Sequence, residues 1–583
     1  MTPADPPARP EADPAHAEHE GSAQPLSPDQ ERMWLFDQML PASPGYDAPT
    51  VVRVLGPLSI AAMNVALDRL VTRHDSFRTR FPRTGDGVPV QVVDPARAAR
   101  PRWRYLDLAG LPDRRRLTAA ADVVRQAAAR PFDLDRGPLW YAAVIRLGVD
   151  DHVLLLGMHH LVADLWSLNI VIDELSAAYR AASTGDALPA PVPPAQPAGL
   201  TVRQRDRLTP ARLDRLRRWW ADHLTGVRPV ALPTDRPRPP LPNLTTYCHE
   251  GQLPPDLADA LRRIGHQHRV TLYATLLAAF NTLVAGWSGQ GDLLTVSVTA
   301  GRHGRAAERT VGLLTGCLVV RVDTTKAATF AALLPVVQEA VVDALDHAAL
   351  PFADLVAHVD PGRDLEPSPL RQLGFSLHNT PSASAEFPGA TIGALPPRQD
   401  AWPRGVSEAD LWWEVFDHGA GPLAYRLQAD DRLFRPDGPR RVMSALRQLL
   451  HTVGRHPETP LSRLAPVALP RPAPAGSGQV PPMPPAATNH PLVEPAPAHL
   501  RHAVALLVTE VLGIAPTSDE DNFFRLGGTS MDAVRLAARL AADLGAEVSL
   551  YDLMTTRTVA GMAAAVHRAQ RDSVTNASRT SWS

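Results

Sequence analysis

The chain has 583 residues, of which 45% are hydrophobic and 21% charged, and its formal net charge is −2. This length exceeds a single hydrophobic core and predicts three or four folding units. The near-neutral charge argues against nucleic acid or an anionic membrane as the main partner. Two cysteines, Cys248 and Cys317, exclude a disulfide framework and favour a reducing cytoplasm. The N-terminus lacks the apolar core of a signal peptide, and no window approaches the roughly 18 apolar residues that span a membrane.

The first part of the chain predicts an α/β unit. Residues 1–25 lack hydrophobic periodicity and are expected to form a disordered tail. Ser27, followed by Pro28, marks the start of a short helix, and Ser59 caps a longer amphipathic helix. Apolar or alternating segments predict strands at residues 50–54, 88–92, 139–145 and 153–157. Helices and strands alternate in this way as far as about residue 183, which is typical of an α/β domain.

Proline-rich stretches divide the rest of the chain. Those at 188–194 and 232–240 precede a second α/β region, in which 412–416 and 423–427 predict an antiparallel pair of strands. A longer Pro- and Ala-rich linker follows at 467–497. Because proline-rich chain extends ~3.1 Å per residue, about 30 such residues could reach roughly 90 Å. The length of the linker therefore predicts that the last unit moves relative to the rest of the protein.

That last unit, residues 498–568, is small and helical. Helices are predicted at 499–512, 530–544 and 559–569, and the polar tail 569–583 is expected to be disordered. Ser530 stands at the start of the second of these helices, where a serine is first of all an N-cap. The preceding Gly527 and Gly528 allow a tight turn that leaves the hydroxyl exposed, which would also suit covalent modification.

The stretch 158–167 joins a buried strand to an amphipathic helix and contains His159, His160 and Asp164. A histidine at a strand end can be a general base near neutral pH, typically worth ~10²–10⁴ in rate, or an ordinary core residue. Adjacent strand residues point to opposite faces, so the two histidines are not expected to share a metal ion. Asp164 could be catalytic, but the favoured hypothesis is that it holds the turn by pairing with an arginine.

Motifs in order along the chain resemble those of condensation domains of nonribosomal peptide synthetases. Residues 159–165 are similar to the family's HHxxxDG motif, and residues 521–530 resemble the DxFFxLGGxS motif of a peptidyl carrier domain. Further matches in the family's order fall at 27–34, 73–81, 232–239, 311–312 with Arg321, 351–352, 363–364 and 369–370. An adenylation domain usually separates the two kinds of domain, and none is expected here, because the linker leads directly from one to the other.

The resemblance implies an α/β fold of two lobes, each similar to chloramphenicol acetyltransferase and arranged in a V. The N-lobe would span 26–185 and the C-lobe 186–466, followed by an all-α carrier domain of four helices at 498–568. A tunnel between the lobes would admit a donor thioester from one face and an acceptor from the other.

The same resemblance implies an acyltransferase that forms amide bonds in the biosynthesis of secondary metabolites such as antibiotics. His160 would orient or deprotonate the acceptor amine, with His159 and Asp164 as structural support and no metal ion. In the family this Asp pairs with an arginine, for which Arg78 is the first candidate. Ser530 would carry the cofactor, a covalent 4′-phosphopantetheine.

The implied partners are an upstream donor carrier protein, a phosphopantetheinyl transferase and a stand-alone adenylation enzyme that loads Ser530 in trans. Neither nucleic acid nor membrane is expected, and the location would be the cytoplasm. Both terminal tails are candidate docking segments, although a tail without such a role is the default expectation.

Four residues depart from the family's pattern. Leu165 replaces the glycine after the motif Asp, and Leu314, Gly316 and Cys317 replace a Phe, an Asn and a Thr. Leucine at 165 fills space that a glycine leaves open, which would narrow the tunnel, change the acyl group accepted or silence the site. Two alternatives therefore stay open beside amide formation: ester formation with an alcohol acceptor, and a non-catalytic recruitment platform. Intact His160 favours an enzyme.

Overall fold

The computed structural model describes residues 21–39, 49–96, 103–187, 195–238, 245–359, 368–379, 386–393, 405–419, 421–464 and 496–580. The proline-rich stretch at 188–194, the motif at 363–364 and almost all of the linker lie outside these residues, as do residues 1–20 of the N-terminal tail.

The first lobe is built on a five-stranded sheet. In order across the sheet its strands are β12 (Thr391–Gly393), β2 (Thr50–Leu55), β7 (Asp151–Met158), β6 (Trp140–Gly148) and β5 (Trp103–Asp107). Only β5 and β6 run parallel, and the other neighbours are antiparallel. The central strands β6 and β7 are apolar along most of their length because both of their faces are buried.

Four helices accompany this sheet: α1 (Pro28–Met39), α2 (Ile60–Arg73), α3 (Asp113–Ala128) and α4 (Leu165–Thr184). Alternate residues of β6 and β7 pack towards α2 and α4 on one face and towards α3 on the other. The predicted caps are confirmed: the Ser59 side chain accepts from the Ala62 amide, and Ser27 and Gln30 exchange reciprocal hydrogen bonds.

A small sheet beside this lobe corrects two sequence predictions. It consists of β1 (Ala23–Gln24), β4 (Gln91–Val93) and β3 (Thr79–Arg80), in that order. Residues 21–25, expected to belong to a disordered tail, therefore contribute a strand. The strand predicted at 88–92 begins only at Gln91, since Pro89 cannot donate to a ladder and makes an isolated bridge with Arg83.

The second lobe has a seven-stranded sheet. Its strands in order are β10 (Gly316–Asp323), β9 (Asp292–Thr299), β11 (Leu373–His378), β14 (Leu411–Phe416), β15 (Leu423–Asp430), β8 (Thr245–Leu253) and β13 (Gly405–Val406). The antiparallel pair predicted at 412–416 and 423–427 is confirmed, with Trp412 opposite Gln428 and Phe416 opposite Ala424.

Eight further helices lie between the first lobe and the C-terminal unit in the described part of the chain. They are α5 (Pro197–Arg207), α6 (Pro210–His223), α7 (Pro255–Gln267), α8 (Leu272–Ser288), α9 (Arg305–Glu308), α10 (Phe330–Asp346), α11 (Phe352–Val359) and α12 (Gly438–Arg455). Helices α7, α8, α10 and α12 bury their apolar residues against one face of the seven-stranded sheet, where Trp413 and Phe375 lie at the centre of the core.

The chain crosses back to the first lobe after β11, which corrects the expected lobe boundary. Residues 386–393 were assigned by sequence to the C-lobe, yet β12 pairs with β2 of the first lobe. The Ser176 hydroxyl donates to the Glu386 carbonyl at 2.7 Å. Phe387 is 3% exposed and packs edge-to-face on Tyr179 of α4, with ring centroids 4.9 Å apart. This crossing ties the second lobe to the first.

The C-terminal unit is the expected bundle of four helices: α13 (Ala498–Leu512), α14 (Ser530–Leu544), α15 (Leu550–Thr556) and α16 (Val559–Thr580). The sequence patterns missed the short α15. Helix α16 runs to Thr580, so the expectation of a disordered tail after residue 569 is wrong for 570–580. The bundle surrounds a core that includes Phe523, Leu540 and Met562.

Among the described residues no single helix is long and apolar enough to cross a membrane. The bent pair of α7 and α8 passes that test by length and composition only, and nearly all of the residues of α8 up to Val284 are buried in the second-lobe core.

Replacing Phe387 with Ala tests the crossing. Removing a fully buried aromatic side chain typically costs ~3–5 kcal/mol of unfolding free energy, so thermal or urea unfolding should show a loss of that order. Thr391→Ala is the matched control, because Thr391 belongs to the same crossing segment and is exposed. Equal stability of the two variants would show that the crossing segment does not belong to the first-lobe core.

Candidate active site between the lobes

The histidine motif lies in a short loop that starts where the central strand β7 ends. The His159 amide still donates to the Leu139 carbonyl, at 2.9 Å, and the Val162 amide turns back to the His159 carbonyl at 3.0 Å. Helix α4 then begins at Leu165, with Asp164 as its N-cap. The loop is therefore fixed at one end by a buried sheet and at the other by a capped helix of 20 residues.

The His160 imidazole is half-buried and has a defined tautomer. Its Nδ1 lies 2.8 Å from the Ala163 carbonyl oxygen. Because a carbonyl oxygen only accepts, Nδ1 carries the proton and the lone pair of the neutral ring is on Nε2. Burial lowers the pKa of His160, although Asp164 and the Ala163 hydrogen bond oppose this shift. The ring is thus neutral at physiological pH and has a basic nitrogen opposite its anchoring bond.

His159 occupies a different environment. Its side chain is 2% exposed, accepts a hydrogen bond from the Leu161 amide on Nδ1 at 3.1 Å, and meets the Phe132 ring edge-on. Its Nε2 lies 3.6 Å from a carboxylate oxygen of Asp37, beyond hydrogen-bond length. His159 therefore packs inside the lobe.

Asp164 is the most heavily bonded side chain of the loop. Arg302 approaches it with two parallel bonds, Nη1 to Oδ2 at 2.7 Å and Nη2 to Oδ1 at 2.8 Å. The Ser167 amide and hydroxyl donate to Oδ1, and the Thr315 hydroxyl donates to Oδ2. The Asp164 and Arg302 side chains are only 2% and 1% exposed. Burial alone would raise the pKa of Asp164, but Arg302 and these hydrogen bonds hold it below its ordinary value.

The arginine expected at Asp164 was Arg78, and that prediction is wrong. Arg78 bonds Asp75 instead, at 2.6 Å, and donates to the carbonyls of Val71 and Asp94. It therefore holds the turn after α2. The true partner, Arg302, follows β9 of the second lobe, so the pair links a loop of one lobe to a loop of the other.

Three of the other motifs that carry the resemblance meet in the hydrogen bonds around the same loop. Gln30 of α1 donates to the Leu161 carbonyl, 3.3 Å away. The Ser167 hydroxyl oxygen accepts from the Gly312 amide at 3.0 Å, and the Ser76 hydroxyl donates to the Val311 carbonyl at 2.6 Å. A Cβ at Gly312 would lie 2.6 Å from Pro197, so no side chain fits there. Segments far apart in sequence thus share one hydrogen-bonded network.

Sequence reasoning missed three members of this network: Arg302, Ser167 and Thr315. A buried carboxylate requires a cation, so the sequence predicts that Asp164 has an arginine partner but does not identify it as Arg302. Thr315 directly precedes Gly316 and Cys317, two residues that depart from the family's pattern. Burial raises the pKa of Cys317 to about 12, so this half-buried thiol stays protonated at neutral pH.

Leu165, the departure next to Asp164, is the first residue of α4 and is 38% exposed. A leucine that plugged a closed tunnel would be packed on all sides. Its exposure therefore argues against the blocked tunnel that the sequence left open. The following Trp166 donates to the Glu308 carbonyl and lies over Arg302, with the guanidinium carbon 5.4 Å from the ring centre.

The second candidate residue, Ser530, is the first residue of α14 and is only 8% exposed, so the expectation of an exposed residue at this turn is wrong. The sequence predicts Ser530 as the N-cap, and that prediction is wrong. The N-cap is Thr529, which forms a capping box with Asp532. Gly527 has a φ of +97°, and a Cβ at Gly528 would lie 2.4 Å from the Phe523 ring. Both glycines are therefore required by the tight turn that leads into the helix.

The surroundings of Ser530 fit a phosphopantetheine group. The residue offers a hydroxyl that can form a phosphodiester, and it does so at the N-terminus of a 15-residue helix. Backbone amides and the helix dipole favour a phosphate at that end. The group would supply a thiol on a flexible arm.

The four-helix unit contacts the first lobe. Helix α15 packs on α1. A Cβ at Gly87 would lie 2.7 Å from the Ala538 Cβ and 3.5 Å from the Val534 carbonyl, so α14 lies directly against the turn at Gly87. The charge of Arg535, on the same helix, acts on Glu31 and on Asp86 of the first lobe.

The protonation of His160 is open to a direct test. Because Nδ1 donates to Ala163, ring-nitrogen NMR should show the Nδ1-protonated tautomer. Because burial lowers the pKa of His160, its titration midpoint should lie below about 6.5, the ordinary value. Below pH ~6.5 the His160 side chain binds a proton more readily in the unfolded chain than in the folded protein. Acid should therefore lower the free energy of unfolding. His160→Gln identifies the resonance by its loss. An Nε2-protonated ring, or a midpoint at or above 6.5, would contradict this assignment.

Family models match the chain in two places. The model described as Condensation domain matches residues 21–468, and that described as Phosphopantetheine attachment site matches residues 502–566. Residues 469–501 between them leave no room for a further enzymatic domain. The second match shows that the C-terminal unit is of the kind that carries covalently attached 4′-phosphopantetheine.

Two curated relatives illustrate the similarity. Chondramide synthase cmdD from Chondromyces crocatus is 35% identical over 367 residues, which are 63% of this chain and 9% of that protein. Phosphinothricin tripeptide synthetase PhsC from Streptomyces viridochromogenes is 35% identical over 361 residues, 62% of this chain and 33% of that protein. The chain thus spans only a small part of such relatives.

Solved structures show the same fold. SgcC5 from Streptomyces globisporus superposes with a TM-score of 0.64 at 24% identity, over 75% of this chain and 100% of that one. The first condensation domain of the calcium-dependent antibiotic synthetase superposes with a TM-score of 0.63 at 21% identity, over 77% of this chain and 99% of that one. The α/β fold of two lobes expected from sequence is thereby confirmed, and the chain belongs to the condensation-domain family of nonribosomal peptide synthetases, a family of acyltransferases, with a carrier domain following.

Proposed function

We propose that this protein transfers an acyl or peptidyl group from a carrier-bound thioester to an amine held on its own carrier domain, forming an amide bond. The observation that carries the proposal is the state of His160: a half-buried neutral imidazole, anchored by Nδ1 to the Ala163 carbonyl, with its basic nitrogen opposite. Such a ring can accept a proton from an amine at neutral pH.

In the proposed reaction the acceptor amine attacks the thioester carbonyl. The new N–C bond forms as the C–S bond breaks, and the proton lost by the amine passes through His160 to the leaving thiolate. The His160 ring has to stay oriented for this, and two groups support that role: Asp164, which fixes the loop through Arg302, and His159, which packs the loop into the lobe. We assign both as supporting residues without a chemical step.

We assign Ser530 as the attachment point of 4′-phosphopantetheine. Its position in the attachment-site match and at a helix N-terminus supports this assignment. The contacts of α14 and α15 with the first lobe support the further proposal that this carrier presents the acceptor.

The proposal implies several partners. The donor arrives on an upstream carrier protein, and a phosphopantetheinyl transferase modifies Ser530. A separate adenylating enzyme loads the acceptor in trans, which is supported by the short interval between the two matched regions. We place the protein in the cytoplasm, in line with its unbridged cysteines, Cys248 and Cys317.

A reconstituted transfer assay tests the proposal. Treatment with a phosphopantetheinyl transferase and coenzyme A should add one arm to the parent, seen by intact mass, and none to Ser530→Ala. With a donor thioester and a loaded arm, His160→Ala should form amide ~10²–10⁴-fold more slowly than the parent. His266→Ala, an exposed histidine on α7, is the matched control and should keep the parent rate. Modification of Ser530→Ala, or equal rates for parent and His160→Ala, would overturn the corresponding assignment.

A further inference from the structure

A carboxylate faces an open position beside the histidine loop. Asp29, in the first turn of α1, directs its Oδ2 to 3.5 Å from the point that a Cβ at Gly316 would occupy. The Thr299 hydroxyl oxygen lies 3.6 Å from the same point. Two polar side chains, one from each lobe, therefore converge on a space that exists because residue 316 has no side chain.

The backbone around this space is regular. Gly316 and Thr299 are directly opposed in the antiparallel ladder of β10 and β9, so their side chains lie on one face of the sheet. Asp29, Thr299 and Gly316 are all half-buried and keep accessible surface although they lie between the lobes. In the described part of the chain the Thr299 hydroxyl makes no hydrogen bond. The open position at Gly316, with the Asp29 and Thr299 side-chain oxygens facing it, is called the recess below.

The residues next to Asp29 and Gly316 in sequence contact the histidine loop. Gln30, the neighbour of Asp29, bonds the Leu161 carbonyl, and Thr315, the neighbour of Gly316, bonds Asp164. Both walls are thus one residue away from groups that touch the segment between His160 and Asp164.

Asp29 lies near one arginine, Arg32, and a second carboxylate, Glu408. Arg32 donates to both oxygens of Glu408, at 2.6 and 2.8 Å, and lies 5.9 Å from each of the rings of Phe36 and Phe352. Burial raises the pKa of Asp29, against the opposing effects of Arg32 and the Cys317 amide, while Glu408 adds to the rise. A positively charged group that entered the recess would lower the pKa of Asp29 and so stabilise its carboxylate.

We propose that Asp29 is a specificity-determining residue whose carboxylate binds a positively charged amino or guanidino group carried by the substrate, in the recess left by Gly316. Thr299 supplies a second polar contact. The inference rests on the proposed function and names a substrate class for it: acyl or aminoacyl groups with a basic side chain. A neutral substrate of the same shape would leave the carboxylate desolvated and without its partner, which is how a site rejects the wrong ligand.

The test compares ornithine with norleucine, which have the same number of side-chain heavy atoms but differ in charge. Each is presented as the acceptor on the Ser530 arm and, separately, as the donor thioester. Parent protein should prefer ornithine on one of these sides by about 10- to 100-fold in kcat/KM, the range expected for a hydrogen bond to a charged group. Asp29→Asn should reduce the preference to within about twofold. The ratio is independent of the folded fraction, because both substrates meet the same preparation.

Two further variants sharpen the comparison. Gly316→Asn fills the recess and should slow ornithine more than norleucine. Asp122→Asn removes a carboxylate on α3 that is 44% exposed and remote from the recess, and should keep the parent preference. A parent without preference on either side, an Asp29→Asn variant that retains the preference, or one that slows both substrates equally would each overturn the proposal.

A binding measurement separates this proposal from the proposed function. Unreactive amides of ornithine and norleucine with aminopantetheine can be titrated calorimetrically into parent and Asp29→Asn protein. Tighter binding of the ornithine amide by the parent alone would support the recess even if no product formed in any assay, in which case only the proposed function fails. Product formation with equal binding and equal rates for both amino acids would keep the function and overturn the recess.

Discussion

The structure depends on one buried ion pair, Asp164 with Arg302. Two charges that are 98% or more removed from solvent are stable only when they are paired and fully hydrogen-bonded. Here the two parallel Arg–carboxylate bonds are joined by donors from Ser167 and Thr315, so the carboxylate is satisfied on both oxygens. Leaving either charge without its partner typically costs ~3–5 kcal/mol. The pair therefore fixes the loop at the end of β7 against the segment that follows β9, and with it the relation between the lobes.

The chemistry proposed for His160 follows from that constraint. A general base must hold one nitrogen towards the reacting proton, and the bond from Nδ1 to Ala163 does so only while the loop keeps its shape. Asp164 caps α4 directly after Ala163, so the residue that ties the lobes also ends the loop. The contacts of α1 extend the same arrangement outward: its Gln30 reaches the loop, its Asp29 faces the recess at Gly316, and α15 of the carrier rests on the same helix.

Local patterns predicted much of this architecture. The caps at Ser27 and Ser59, the strand pair at 412–416 and 423–427, and the start of α14 at Ser530 each follow from a short-range physical rule and are confirmed. The errors concern contacts between distant segments. Nothing local distinguishes Arg302 from Arg78 as the partner of Asp164, and nothing in the sequence of 386–393 shows that it pairs with β2. The predicted N-cap, Ser530, is wrong by one residue: the N-cap is Thr529. Two adjacent hydroxyl side chains can each fill that role. The catalytic role of His160 and the attachment role of Ser530 stay predictions.

The central claim is that the Asp164–Arg302 pair acts as a unit that holds His160 in place. A double-mutant cycle on the rate of amide formation measures this directly, using Asp164→Asn, Arg302→Gln and the two changes together. The account predicts strong non-additivity: each single change leaves a buried charge without its partner, so the double variant is no slower than the worse single variant. Losses of rate that multiply, as for independent residues, would contradict it.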